Sequence, residues 1–250
     1  MLRWFNLVIF LFVLPLSLVT TGCRLLFQEG RRVVSETPWG EVSPQNGVWD
    51  AEYGRTDDPA NASFRFRILR YVDGISVEAR VRDDRIVTDN CTPGAIAVHD
   101  DIFGKNACPS WDDDNLECFF DGDNVKSKNK RQTGVYSGGG EYALVANGAA
   151  QSDFSCCPNS FGQKWQGAAQ IAKHPQGGYE ITYTLWFSWE CLGWKIPPQE
   201  NEDVRFGFNI CMHDDDDGGR NDRALFWKGN TLFPYSDESQ FGEIILKGRK

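Results

Sequence analysis

Three observations predict an all-β protein: a β-sandwich of antiparallel sheets, immunoglobulin-like or jelly-roll-like, with little helix. Apolar and polar residues alternate with a period of two over several separate stretches. Gly- and Asp-rich turns fall between those stretches. No long segment carries the 3.6-residue apolar period of an amphipathic helix. The alternation is plainest where Phe64, Phe66 and Ile68 interleave with Arg65 and Arg67, and where Ile75, Val77, Ala79 and Val81 interleave with Ser76, Glu78, Arg80 and Arg82. It recurs at Tyr179, Ile181, Tyr183, Leu185 and Phe187, and again at Val204, Phe206, Phe208, Ile210 and Met212. Each stretch sets one face on a core and the other toward solvent or a groove.

Shorter strands are expected at 116–121, 142–147, 168–172, 223–227 and 241–246, with turns at Asp73-Gly74, Asp121-Gly122, Gly138-Gly139-Gly140, Gly177-Gly178 and Gly218-Gly219. One capped helical turn is expected after Ser188, with Ser188 as N-cap and Gly193 ending it.

The N-terminus sets the domain organisation. Arg3 precedes an apolar run from Leu7 to Val19, broken only by Pro15 and Ser17. A mature span needs about 20 apolar residues, so this run suits the apolar region of a secretory signal instead. It ends in Thr20-Thr21-Gly22-Cys23, which resembles a bacterial lipoprotein box with an atypical Thr20. On that reading residues 1–22 are a signal peptide and Cys23 is lipidated as the first mature residue. Residues 23–47, rich in Gly, Pro, Ser and charge, form a tether, and 48–250 form the sandwich. The chain is then exported and held in the bacterial cell envelope, at an outer membrane or cell surface, by its lipid. An ordinary signal peptide, with Cys23 free or disulfide-bonded, also exports it.

Thirty-five acidic against 26 basic residues give a net charge of -9, which repels phosphate backbones and argues against nucleic acid. There are eight cysteines. If Cys23 carries lipid, seven remain, enough for at most three disulfides. Cys91, Cys108, Cys156 and Cys157 lie in loop-like sequence and are candidates for bridges. Cys118, Cys191 and Cys211 lie in apolar strand or turn contexts that suit buried thiols. Zinc-type Cys and His spacings are absent.

Two acidic segments carry candidate chemistry. Trp111-Asp112-Asp113-Asp114-Asn115-Leu116-Glu117 leads into a strand, and Asp214-Asp215-Asp216-Asp217 precedes Gly218-Gly219. Four adjacent carboxylates repel unless a cation is near, and hard oxygen donors suit Ca²⁺, although the EF-hand spacing is missing. The alternative is a solvated acidic turn paired with Arg220 and Arg223. Nine Trp are present, and Trp39, Trp49, Trp111, Trp165 and Trp227 sit beside polar residues. A sugar ring presents an apolar C–H face and a rim of hydroxyls, so an exposed aromatic plane beside carboxylates and amides is its natural receptor. Core filling is the simpler role for any one of these Trp.

Several motifs occur in order: Asp73-Gly74-Ile75 with Asp83-Asp84; Trp111-x-x-Asp114-x-Leu116-Glu117-x-x-x-Asp121; Gly178-Tyr179-x-Ile181; Ser188-Trp189-x-x-Leu192-Gly193; Gly207-Phe208-Asn209; the acidic stretch through Arg223 to Trp227; and Phe241-Gly242-x-Ile244. Together they resemble a family 9 carbohydrate-binding module over residues 48–246. The resemblance implies a sandwich that binds sugars, often at chain ends, between two Trp rings, with bound calcium and no catalysis. It assigns Trp111 as one ring, Glu117 as a hydroxyl acceptor, Trp227 as the second ring, and Asn209 and Arg223 as polar contacts. The chain departs from the pattern in its cysteines and in an insertion between Tyr136 and Lys164, which leaves the ligand open.

Three other readings stand beside it. A DOMON-type haem domain needs axial ligands such as Met212 or His213 with His99 or His174. A glycoside hydrolase needs a carboxylate pair such as Asp114 and Glu117. A structural envelope lipoprotein would keep the sandwich without the sugar.

Overall fold

The computed structural model describes residues 31–98, 108–126, 138–153, 155–158, 160–220, 222–229 and 237–250. The signal-peptide and lipidation readings, Cys23 included, and the haem partner His99 fall outside the described residues. Among the described residues no helix is long and apolar enough to cross a membrane.

Among the described residues fourteen strands follow in order: β1 (Val33–Glu36), β2 (Gly40–Val42), β3 (Val48–Trp49), β4 (Ser63–Tyr71), β5 (Gly74–Asp83), β6 (Ile96–Val98), β7 (Asn115–Asp121), β8 (Gly139–Val145), β9 (Ala150–Asp153), β10 (Trp165–Lys173), β11 (Tyr179–Ser188), β12 (Val204–Asp214), β13 (Arg223–Phe226) and β14 (Gly242–Leu246). The smaller sheet runs β1-β4-β5-β11-β10, with β2 also on β4. The larger runs β3-β13-β12-β7-β8-β9-β6, with β14 also on β12. The pairings are antiparallel except β6 on β9.

The expected alternation is what joins the sheets. Phe64, Phe66 and Ile68 of β4, Val77, Ala79 and Val81 of β5 and Ile181, Tyr183, Leu185 and Phe187 of β11 form one buried cluster with Leu116, Cys118 and Phe120 of β7 and Phe206, Phe208, Ile210 and Met212 of β12. Phe120 sits at its centre, with ring centroids 4.8 Å from Phe187 and 5.3 Å from Phe208. Burying one such ring contributes about 1.5–3 kcal/mol, and a cavity in its place costs more.

The sandwich begins before residue 48. β1 and β2, in the stretch read as a tether, both pair with β4. Their four and three residues are too short for alternation to show in sequence. The turn after Ser188 is a 3-10 helix (Trp189–Leu192) ended by Gly193 in the left-handed region at φ 80°, as expected. Ser188 does not cap it through its side chain; its Oγ lies 3.7 Å from Cys191 Sγ.

Two loop cysteines, Cys91 and Cys108, form a disulfide that packs with Ala97, Val145 and Ala149 on the outer face of the larger sheet. Cys118, Cys191 and Cys211 are buried free thiols, as their contexts suggested.

Replacing Phe120 with Ala is expected to cost about 3–5 kcal/mol. Urea unfolding measures this, and a loss under 1 kcal/mol would mean that the ring is not the centre of the core.

Candidate functional site

The pleat of β7 divides its side chains. Leu116, Cys118 and Phe120 enter the core, so Asn115, Glu117, Phe119 and Asp121 face the outer side of the larger sheet. Register carries that outer row across neighbouring strands. Cys211 stands opposite Glu117 and His213 opposite Asn115 on β12. On the other side, Ala143 of β8 adjoins Glu117, and Gln151 of β9 adjoins Ala143.

The outer face is polar and closely packed. Glu117, His213 and Gln151 are 3%, 6% and 2% exposed, and His213 Nε2 lies 3.2 Å from Glu117 Oε2. Glu141 and Asp153 continue the row, also buried. Glu117 Oε1 and Gln151 Nε2 have no hydrogen-bond partner among the described residues. A buried polar atom without a partner costs roughly 1–3 kcal/mol, so such atoms ask for a ligand or water. Beside the polar row, Phe119 packs on Phe226 and Phe241, at centroid distances of 5.9 and 6.2 Å.

Trp111 is carried by a turn anchored to this face. It lies in the 3-10 turn Ser110–Asp112. Ser110 is fixed to the outer face, since its Oγ and backbone N–H both donate to Gln151 Oε1 at 2.9 and 3.2 Å. The Asn115 amide donates to the Ser110 carbonyl. Trp111 itself is half-buried and belongs to none of the four apolar clusters of the described residues.

The structure does not bring the other three predicted contacts to that place. The Trp227 ring packs on the inner side, 5.1 Å from Phe66 and 6.2 Å from Phe208, so the sheet separates it from Glu117. A Cβ on Gly242 would meet its ring at 2.5 Å. Asn209 faces outward but is fully buried, and its amide closes onto the backbone of Lys228 through two 3.0 Å hydrogen bonds. It continues the strand pairing of β13 past Phe226. Arg223 is held by Asp214 at 2.8 Å and Asp216 at 2.5 Å. Among the remaining Trp, Trp49 and Trp165 are core residues. Trp39 lies beneath Arg65, Arg67 and Arg80 on the other sheet.

The acidic run is also divided, since β12 ends at Asp214 and the next three carboxylates lie in the loop beyond it. Asp214 joins Asp83 from the end of β5 and Asp114 from the lead-in to β7, all three buried, with carboxylate oxygens within 4.8 Å of one another. Asp215 groups with Asp89 and Asp113, Asp216 with Asp83 and Asp84, and Asp217 with Asp215 and Asp222. Burial and then the Asp214 charge push Asp83 up to about 8. Burial and then Asp83 push Asp114 up to about 9, and burial pushes Asp214 up to about 7 despite Arg223. Asp83 Oδ2, Asp214 Oδ1 and Asp215 Oδ2 have no hydrogen-bond partner among the described residues. An all-oxygen, strongly anionic set of this kind fits a hard cation such as Ca²⁺.

The same geometry bears on the rival readings. Asp114 lies between the sheets and accepts from the backbone N–H groups of Val87 (2.5 Å) and Asp215 (2.8 Å). Glu117 is on the outer face, so the two carboxylates do not flank one cleft. Met212 is in the core while His213 is outside it, and His174 lies 3.0 Å from Arg82.

A family profile described as "Carbohydrate family 9 binding domain-like" matches residues 34–249. The chain belongs to this family. Two solved structures of a family 9 carbohydrate-binding module from Caldicellulosiruptor kristjanssonii share its fold. The one in complex with cellotriose is 17% identical, with a TM-score of 0.52 over 84% of this chain and 90% of that one. The one in complex with glucose is 18% identical, with a TM-score of 0.53 over 82% and 87%. No curated protein matches the sequence.

In this family 9 domain, sequence reasoning overlooked Gln151 and His213 as neighbours of Glu117, and Asp83 as a partner of the acidic run. Asp83-Asp84 was visible as a motif, but only strand pairing across the two sheets tells which carboxylates meet.

The raised carboxyls predict a pH dependence in chelated protein. Their ordinary value is near 4, so between about 4 and 9 the folded state holds protons that the unfolded chain has lost. The contribution of these groups to stability is therefore full near pH 4 and is lost as pH rises through 7 to 9. Urea unfolding in EDTA at pH 5 and pH 9 tests this for Asp114→Asn against wild type. The loss at high pH is expected to shrink in the variant, and an unchanged loss would show that Asp114 does not contribute.

Proposed function

We propose that the chain binds carbohydrate, without catalysis, on the outer face of its larger sheet. Trp111 stacks on the apolar face of a sugar ring, Glu117 accepts a hydroxyl proton, and Gln151 donates to a sugar oxygen. The observation that carries this reading is the buried Glu117 Oε1, without a hydrogen-bond partner among the described residues, on the face to which the turn of the half-buried Trp111 is anchored. Trp227, Asn209 and Arg223 have structural roles in it: inner-face packing, strand closure and charge balance within the acidic cluster.

Glucose and cellotriose, held by the two similar modules, are the first ligands to test. Isothermal titration in the presence of Ca²⁺ is expected to detect binding, with Glu117→Gln and Trp111→Ala each weakening it by about 10-fold or more. A folded, calcium-loaded protein that binds no mono- or oligosaccharide would refute the proposal.

The acidic cluster supports a structural Ca²⁺ held by Asp83, Asp114 and Asp214, with Asp215, Asp216 and Asp217 beside them. Calcium is expected to raise Tm, because a ligand that binds only the folded state stabilises it. Asp214→Asn should abolish most of that rise in a thermal-melt comparison. An equal rise in the variant would place any ion elsewhere.

Export with lipid on Cys23 remains the N-terminal reading, supported by the apolar run and by Thr20-Thr21-Gly22-Cys23. It would hold the sugar-binding face at the cell envelope.

A further inference from the structure

We propose that the free edge of β10 pairs with β10 of a second copy of this chain, joining two smaller sheets into one across a twofold axis. β10 is an end strand of the smaller sheet. Its nine residues match β11 one to one, from Trp165 opposite Phe187 to Lys173 opposite Tyr179, without a bulge. The bonds that flank it fix which way its backbone points. Lys164 O accepts from Ser188 N and His174 N donates to Gly178 O, so the even-numbered residues face β11. The odd-numbered ones point their N–H and C=O groups the other way. Trp165 spends its pair on Ser160 and Gly162. Among the described residues, Gly167, Ala169, Ile171 and Lys173 have no strand beside them, and residues 166–173 are all partly or largely exposed.

A monomer keeps its sheet edges from pairing by making them short, bulged or charged, or by placing proline on them. Among the described residues the other sheet ends follow that rule. β3 and β6 have two and three residues, and β1 has four, with a register shift against β4. β2 and β14, which lie off the main strand order, carry Glu41 and Glu243. β10 has none of these guards over residues 166–172.

Charge and register select a second copy as the occupant. The chain carries a net charge of -9, yet no acidic residue occurs between Asp153 and Glu180. Two copies therefore meet here along their least anionic stretch. A twofold axis centred on Gln170 sets Ala169 against the partner's Ile171 and Gly167 against the partner's Lys173. All four free residues then pair, each pair exchanging two hydrogen bonds. The two Lys173 side chains stand about 20 Å apart, beyond the screening length at physiological salt. Ile171 shares the inner side of its strand with Trp165 but is 47% exposed, and pairing covers it with apolar residues of the partner. The proposed sugar face belongs to the larger sheet, so this contact leaves it open.

Sedimentation velocity on the full-length chain tests this, in non-ionic detergent because of the apolar run from Leu7 to Val19. The expected result is a concentration-dependent dimer. Ala169→Pro removes an N–H that faces away from β11, which an edge strand tolerates. Ile171→Lys sets like charges diagonally across the axis. Each is expected to raise the dimer dissociation constant about 10-fold or more. As a second measurement, Gln170→Cys places two thiols at the axis, where the Cα atoms of a non-hydrogen-bonded pair are about 4.5 Å apart. Mild oxidation is expected to give a covalent dimer that peptide mapping shows linked through position 170. A chain that stays monomeric up to roughly 100 μM, or a dimer that does not link through position 170, would overturn the proposal. So would a dimer whose dissociation constant neither folded edge variant changes.

Discussion

The pleat of β7 is the constraint on which the rest of the structure depends. Its even-numbered residues, Leu116, Cys118 and Phe120, must stay apolar because they meet the opposite sheet. Its odd-numbered residues are thereby turned outward, where Asn115 and Glu117 form a polar row with residues of β12, β8 and β9. A one-residue slip would exchange the two faces and put Glu117 into the core. The dense aromatic packing around Phe120 therefore positions the proposed binding face as well as stabilising the fold.

The acidic cluster is governed by the same geometry at the end of the sandwich. β5 belongs to one sheet and β12 to the other, yet Asp83 and Asp214 bring carboxylates together there with Asp114. One guanidinium, Arg223, answers Asp214 and Asp216. Burial first, and then the charges of neighbouring carboxylates, holds these carboxyls well above their ordinary range. A bound hard cation would turn that repulsion into a tie between the sheets.

Much of the fold was legible in sequence because β4, β5, β11 and β12 are long and alternate cleanly. β1 and β2 were not, since a few residues carry no period. Trp111 and Glu117 are close in sequence, and the turn that carries Trp111 is anchored through Ser110 and Gln151 to the face that Glu117 occupies. Trp227 did not join them, because parity places its ring with Leu225 on the inner side of β13. Asn209 had the right face but the wrong task, as its amide is spent on the Lys228 backbone. Contacts such as Glu117 with Gln151, or Asp83 with Asp214, depend on register between strands distant in sequence, and no local pattern encodes that.

Co-crystallisation with cellotriose tests the central claim most directly. The account predicts a sugar on the outer face of the larger sheet, its ring against Trp111 and a hydroxyl within about 3 Å of Glu117 Oε1. A sugar seated against Trp227, or one that leaves Glu117 Oε1 without a partner, would contradict it.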